Sequence, residues 1–408
     1  MAFLNRRAAT ALCTGFSITV PSALWAQAQP VTTPVTEVNL DVIGTYDSNV
    51  ARSSAAAAAL RGLDRADSTI SPTLSITLAR PMGENSLRLA AQLGYNFHAR
   101  NTQLNRERIL VNLDAVAGLG PCRLAPSIGF QRRQSDLGDI AFLSANPLAT
   151  VKNTETVQTY AADLACGQSP GIEPVGGVRY EKATNSNILR DRAEYTSLAF
   201  HGGLRYTSDA LGQVTLFGSH RTVDLPNIAL VGGGEDGYRV NEYGLRYRRD
   251  LGTRVQASGM LAYSDLRIRS GASGAQKGVV WNAELTALVG ARLRLTASAG
   301  REIANSLASD AAFAVTKPYR LRFEYAASEL LRFDGGVAIT QRRFNYDFVP
   351  TGNVVTSETR RTYDVGASYQ YGRRIRLRLF AAHEQRSAND SFFNYHANSV
   401  GASVGIRF

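Results

Sequence analysis

Lysine is almost missing from this chain. Of 45 basic residues in 408, four are lysine (Lys152, Lys182, Lys277, Lys317), and the other 41 are arginine. Cysteine is scarce as well, with three in all, and no Cys or His spacing matches a zinc or haem site. His98, His201, His220, His383 and His396 stand singly, with no HExxH arrangement. Gly232 to Gly237 lacks the lysine and the strand–helix context of a phosphate loop and reads as a flexible loop. Gly401-Ala402-Ser403-Val404-Gly405 matches the serine-hydrolase elbow pattern, but it lies within an alternating strand instead of a sharp strand–helix turn. The expectation is therefore a protein that is not an enzyme, with no catalytic, cofactor-binding or metal-ligating residues. Its basic residues alternate with apolar ones and form no patch, which argues against nucleic acid as a partner. Beyond the N-terminus no apolar run approaches the ~20 residues of a membrane-spanning helix.

What the chain has instead is alternation. From Tyr395 to Phe408, Val400, Ala402, Val404, Ile406 and Phe408 fall on one face of a strand, and Ser399, Gly401, Ser403, Gly405 and Arg407 on the other. A last strand ending on an aromatic residue resembles the signal read by the machinery that assembles outer-membrane barrels. Phe408 is thus expected to engage that machinery.

The N-terminus agrees. Arg6 and Arg7 precede an apolar stretch from Ala8 to Val20, and small residues close on Ala26-Gln27-Ala28. Residues 1–28 read as a secretory signal peptide, cut after Ala28 or Ala26. A membrane anchor is the alternative. Residues 29–38 would follow as a periplasmic segment, and 39–408 as a single barrel.

Segments of ten or more alternating residues recur throughout. Leu87, Leu89, Ala91, Leu93, Tyr95 and Phe97 interleave with Arg88, Ala90, Gln92, Gly94, Asn96 and His98. Leu293, Leu321, Phe323 and Leu377 belong to similar apolar faces. The fold class is all-β: a transmembrane antiparallel up-and-down barrel of about 18 strands, within 16–20. A soluble sandwich would use shorter strands. Short turns alternate with long loops and the strand count is even, so both termini should lie in the periplasm, with the barrel in the outer membrane of a Gram-negative bacterium. Outer-membrane lipid and lipopolysaccharide would then be its surroundings. The first loop holds the run Ala55–Ala59 before Leu60-Arg61-Gly62-Leu63. A floppy low-complexity loop is expected there, with one or two helical turns at the mouth as the alternative.

Alternation points Arg88, Arg246, Arg248, Arg292 and Arg294 into the lumen. Arg320, Arg322, Arg376 and Arg378 join them, with Asp114, Glu284, Glu324 and Asp364 among them. Nine basic against four acidic groups favour anions in a confined pore. Two alternatives stand: Arg–carboxylate ladders across neighbouring strands, and an arginine bias imposed by a G- and C-rich genome. Cys122 and Cys166 remain after signal removal. Counting turns places them on one edge of the barrel, two hairpins apart and on strands that are not direct neighbours, which leaves a disulfide open.

Val38 to Val50, with the strand end Gly44-Thr45-Tyr46-Asp47-Ser48-Asn49, is followed by Asp64-Arg65-Ala66-Asp67 and Ile70-Ser71-Pro72-Thr73-Leu74. With Gly94-Tyr95-Asn96-Phe97 and Leu104-Asn105, this opening resembles the β-barrel porin type 2 family. The resemblance covers the mature chain in architecture, though its motif is short, and the alanine run at 55–59 departs from it. Such proteins are often encoded with exopolysaccharide machinery. The resemblance implies a channel or accessory barrel in export of an anionic exopolysaccharide, with periplasmic polysaccharide-export proteins as partners. A diffusion porin for small anions and a passive structural or adhesion barrel are the other readings.

Overall fold

The computed structural model describes residues 31–138, 151–167, 170–229, 235–269, 275–304, 311–346 and 355–408. The signal-peptide segment, residues 1–28, lies outside the described residues. Eighteen strands follow one another: β1 Val35–Asp47, β2 Asp67–Met82, β3 Asn85–His98, β4 Arg106–Leu119, β5 Cys122–Gln134 and β6 Thr154–Cys166. Next come β7 Gly171–Asn185, β8 Tyr195–Ser208, β9 Gly212–Ala229, β10 Glu235–Leu251, β11 Val255–Ile268 and β12 Ala275–Val289. The last six are β13 Leu293–Ala304, β14 Ala311–Ala326, β15 Leu331–Tyr346, β16 Ser357–Tyr371, β17 Ile375–Ala388 and β18 Tyr395–Arg407.

Each strand pairs antiparallel with its sequence neighbours, and β1 pairs with β18 from Asn39↔Arg407 to Asp47↔Ser399, closing the sheet on itself. Closure leaves no open first or last strand for another chain to pair with. The barrel has the eighteen strands that alternation predicts. β1 begins at Val35, so the ladder takes in part of the segment placed ahead of the barrel. The strands also reach into stretches read as long loops: β9 runs to Ala229 and β10 starts at Glu235. At the end that holds the termini the turns are short. Gly120 and Gly290 turn with φ of +62° and +64°, values that only glycine adopts freely.

The outward face is apolar. Leu87, Leu321, Phe323, Leu377 and Phe408 are exposed on it, and Leu89 and Leu293 are half-buried by their neighbours. Aromatic rings collect at two levels. Tyr206, Tyr325, Phe333, Tyr369, Tyr371 and Phe408 lie towards the terminal end. Tyr46, Tyr180, Phe200, Tyr243, Tyr263 and Tyr363 lie towards the loops. An apolar band between aromatic girdles fits a bilayer's hydrocarbon and its two interfaces. No helix among the described residues is long and apolar enough to cross a membrane.

Cys122 and Cys166 are bonded, with Cα atoms 3.9 Å apart. They face each other across β5 and β6, which are adjacent strands joined at the opposite end of the barrel. Counting through turns placed them on strands that are not neighbours; the correction is that one opens β5 and the other closes its partner β6.

Candidate functional site

The first loop is not the floppy segment its alanine run suggests. Ala55–Leu60 forms a helix, α1, with the Ser54 hydroxyl accepting from the Ala57 amide at 3.3 Å as its N-cap. Alanine's helix propensity explains the local form; packing explains why it stays. Ala51, Ala58, Leu63, Leu104, Leu137 and Val151 make one buried cluster drawn from three connections between strands. Arg61 pins it: Nη1 donates to the Leu137 carbonyl at 2.8 Å, Nη2 to Ala51 at 2.8 Å and Nε to Ala57 at 3.3 Å. Burial, and after it the nearby Arg386, push the Arg61 guanidinium down to about 10. Three carbonyls offset that cost.

The connection after β5 turns into the lumen. Asp136 accepts from Arg360 Nη1 at 3.1 Å, and the Gly138 carbonyl accepts from Arg386 Nη1 at 2.6 Å. Arg360 and Arg386 stand opposite each other on β16 and β17, seven and six strands round the wall from β5. Residues 135–138 therefore reach across the lumen. The far anchor is a dense charge network. Arg386 Nη2 meets Glu358 at 2.5 Å, and Arg342 binds the same carboxylate. Glu384 receives Arg360 Nε at 3.8 Å, Arg52 Nε at 3.2 Å and the Tyr395 hydroxyl at 2.5 Å. Arg52, from the first loop, also meets Asp47 at 2.7 Å and holds φ +49°. Its neighbouring carboxylates raise the guanidinium above its ordinary value although burial, the largest influence, pulls it down. Left-handed backbone costs a non-glycine residue about 1–2 kcal/mol, and these ion pairs hold it in place.

Nearer the terminal end the predicted arginines line up on the inward positions. Arg378 Nη2 meets Asp334 at 2.7 Å; Arg322 Nη2 lies 3.6 Å from Asp334 and 4.0 Å from Asp364. Arg376 Nη2 meets Asp41 at 3.0 Å across the closing strand. Arg88 stands opposite Asp114, Arg294 opposite Glu324, Arg320 opposite Ser298 and Glu284 opposite Ser298 and Ser258. Arg246 lies over the Phe217 ring, 5.0 Å from its centroid, and Arg248 opposite Ser258. Arg292 sits outside the strands, in the turn before β13, where Nη1 donates to the Ala327 carbonyl at 3.2 Å. On the facing wall Arg205 meets Glu173 at 3.4 Å and His201 meets Asp163 at 3.4 Å.

Alternation could have found Asp41 and Asp334, which sit at inward positions beside the arginines already singled out. It could not have found the latch of Arg52, Asp136, Glu358, Arg360, Glu384 and Arg386. That depends on where the loops go.

No family model matches the chain, and no curated protein is similar to it. Several solved outer-membrane proteins are similar to it. The outer-membrane protein OpdK of Pseudomonas aeruginosa is 12% identical, with a TM-score of 0.46, covering 92% of this chain and 99% of its own. OccK2 (OpdF) of the same species, solved with glucuronate, is 12% identical with a TM-score of 0.47, covering 91% of this chain and 98% of its own. The siderophore receptor PirA of Acinetobacter baumannii is 8% identical at a TM-score of 0.47, covering 92% and 81%.

Proposed function

We propose that the chain is an outer-membrane diffusion channel for small anionic solutes. Both termini would be periplasmic and the loop-bearing mouth would face outward. The observation that carries the reading is the Arg386–Gly138 hydrogen bond. It holds residues 135–138 inside the lumen, as a channel that sieves small solutes requires and a conduit for a polymer does not. Anion preference is supported by the inward arginines, which surround the passage on β3, β10, β13, β14 and β17, in a chain of net charge +11.

Export of an anionic exopolysaccharide, the role implied by resemblance to the β-barrel porin type 2 family, is the second reading. It would require residues 135–138 to leave their anchors, through a periplasmic export partner or the polymer itself. Deletion of the gene separates the two. Lost uptake of small anions with normal surface polysaccharide supports the diffusion channel, whereas polymer trapped in the periplasm with synthesis intact would overturn it in favour of export.

A further inference from the structure

Above the loop-side girdle the outer wall changes from apolar to basic. Lys182 stands two residues from Tyr180, Lys317 two from Tyr319 and Arg361 two from Tyr363, each on the same face and one step nearer the loops. Arg239 and Arg267 lie directly opposite each other across β10 and β11, both exposed. Three of the four lysines in the chain are here, outward and exposed: Lys182, Lys277 and Lys317. Asp265 is the acid on β11 at this level, and Arg267 Nη2 already binds it at 3.0 Å. Like charges directly opposite each other destabilise a sheet, and Asp265, with Asp224 of β9 bound to Arg269, offsets the excess positive charge of this wall only in part.

A break in the ladder lies on the same arc. Pairing of β12 with β13 ends at Trp281↔Arg301, although β13 continues beside β14 to Ala304↔Ala314. The edge of β12 from 275 to 280 is left without β13, and the Arg301 guanidinium bridges the gap by donating to the Val279 carbonyl. Beside it a cavity of about 630 Å³ is lined by Arg301, Lys317, Gln341, Arg343, Thr359 and Ser387, with Gln276 on the β12 side. Arg342 and Glu358 also line it and are paired with each other, so Arg301, Lys317 and Arg343 are the cations it offers a ligand, with neutral donors and acceptors around them, next to the lipid-facing band.

We propose that this outer wall binds the phosphorylated glycolipid of the outer leaflet, with Arg301, Lys317 and Arg343 holding a phosphate in the cleft. A lipid whose acyl chains cover the apolar band below the girdle presents its headgroup at this level. Gln341, Thr359 and Ser387 suit sugar hydroxyls, and the cations suit phosphate. Free phosphate has no such anchor. The inference uses the outward orientation of the loop mouth and is independent of what passes through the lumen.

The test is native mass spectrometry of the full barrel, titrated with bis-phosphorylated lipid A and with the same lipid dephosphorylated. The phosphorylated lipid should bind tighter by roughly tenfold or more, and Lys317→Glu with Arg343→Glu should remove that advantage. The lumen variant Arg376→Glu with Arg378→Glu should leave it unchanged, and excess inorganic phosphate should not compete. If the charge-reversed barrel fails to fold, Lys317→Gln with Arg343→Gln serves in its place. Equal binding of the two lipids, binding indifferent to the cleft variants, or displacement by inorganic phosphate alone would each overturn the proposal.

Discussion

Arg386 and Gly138 are 248 positions apart in sequence and joined by a hydrogen bond of 2.6 Å inside the barrel. The Arg386 side chain is 1% exposed, and its second nitrogen is committed to Glu358, which is fully buried. One guanidinium thus ties residue 138, in the connection after β5, to β17, six strands away round the wall.

Replacing Arg386 with Ala should release residues 135–138 and raise single-channel conductance in planar bilayers. Losing one partner of a buried ion pair costs about 3–5 kcal/mol, so the variant should also lose its heat-modifiable folded band at a lower temperature than the parent. Retained Arg342 keeps part of the Glu358 charge compensated. Unchanged conductance in a folded variant would show that the anchored loop does not narrow the passage.

Arg61→Ala should loosen the first loop without opening the barrel. Three charge-assisted hydrogen bonds are lost, each worth about 1.5–3 kcal/mol. Limited proteolysis should then cut within residues 48–66, where the parent resists. The sign of the pH effect follows from the lowered value of about 10. A base whose folded value lies below its unfolded one adds stability only as pH climbs past the folded value, so this clamp should be flat from acid to neutral pH. A steep change near neutrality traced to Arg61 would contradict the assignment.

The barrel itself was legible because a period of two, sustained over strands of 12 to 18 residues, leaves little room for another fold. The strand positions of the arginines were legible for the same reason, except Arg292, which falls in a turn because a strand boundary moved by one residue. Pairing of Cys122 with Cys166 was obscured because each cysteine was assigned to the turn it adjoins and not to the strand it bounds; Cys122 opens β5 and Cys166 closes β6, which are consecutive and therefore paired. The latch was illegible. Nothing local in Asp136 or Gly138 announces partners on β16 and β17, and the alanine run of α1 reads as low complexity until Leu104 and Leu137 are seen packed beside it.

Reducing the Cys122–Cys166 bond frees a loop set by a sequence separation of 44, worth about 4 kcal/mol in the chain-entropy account. The reduced barrel, or Cys122→Ser with Cys166→Ser, should lose its compact gel mobility at a lower temperature while keeping its conductance. Identical melting of oxidised and reduced protein would show the bond contributes nothing to stability.

Single cysteines placed in turn along residues 87–97 should alternate in their environment. Odd positions should be shielded by detergent or lipid, and even positions should react with a water-soluble thiol reagent through the lumen. Uniform labelling would be incompatible with the strand facing described here.

The reversal potential of the reconstituted barrel across a salt gradient tests the central claim most directly. The parent should prefer anions. Arg376→Glu with Arg378→Glu removes two positive charges, adds two negative ones and leaves Asp41 and Asp334 without those partners. In a confined lumen that change should abolish or reverse the preference, with the folded band retained. A cation-selective parent, or a folded variant with the parent's reversal potential, would contradict an anion channel.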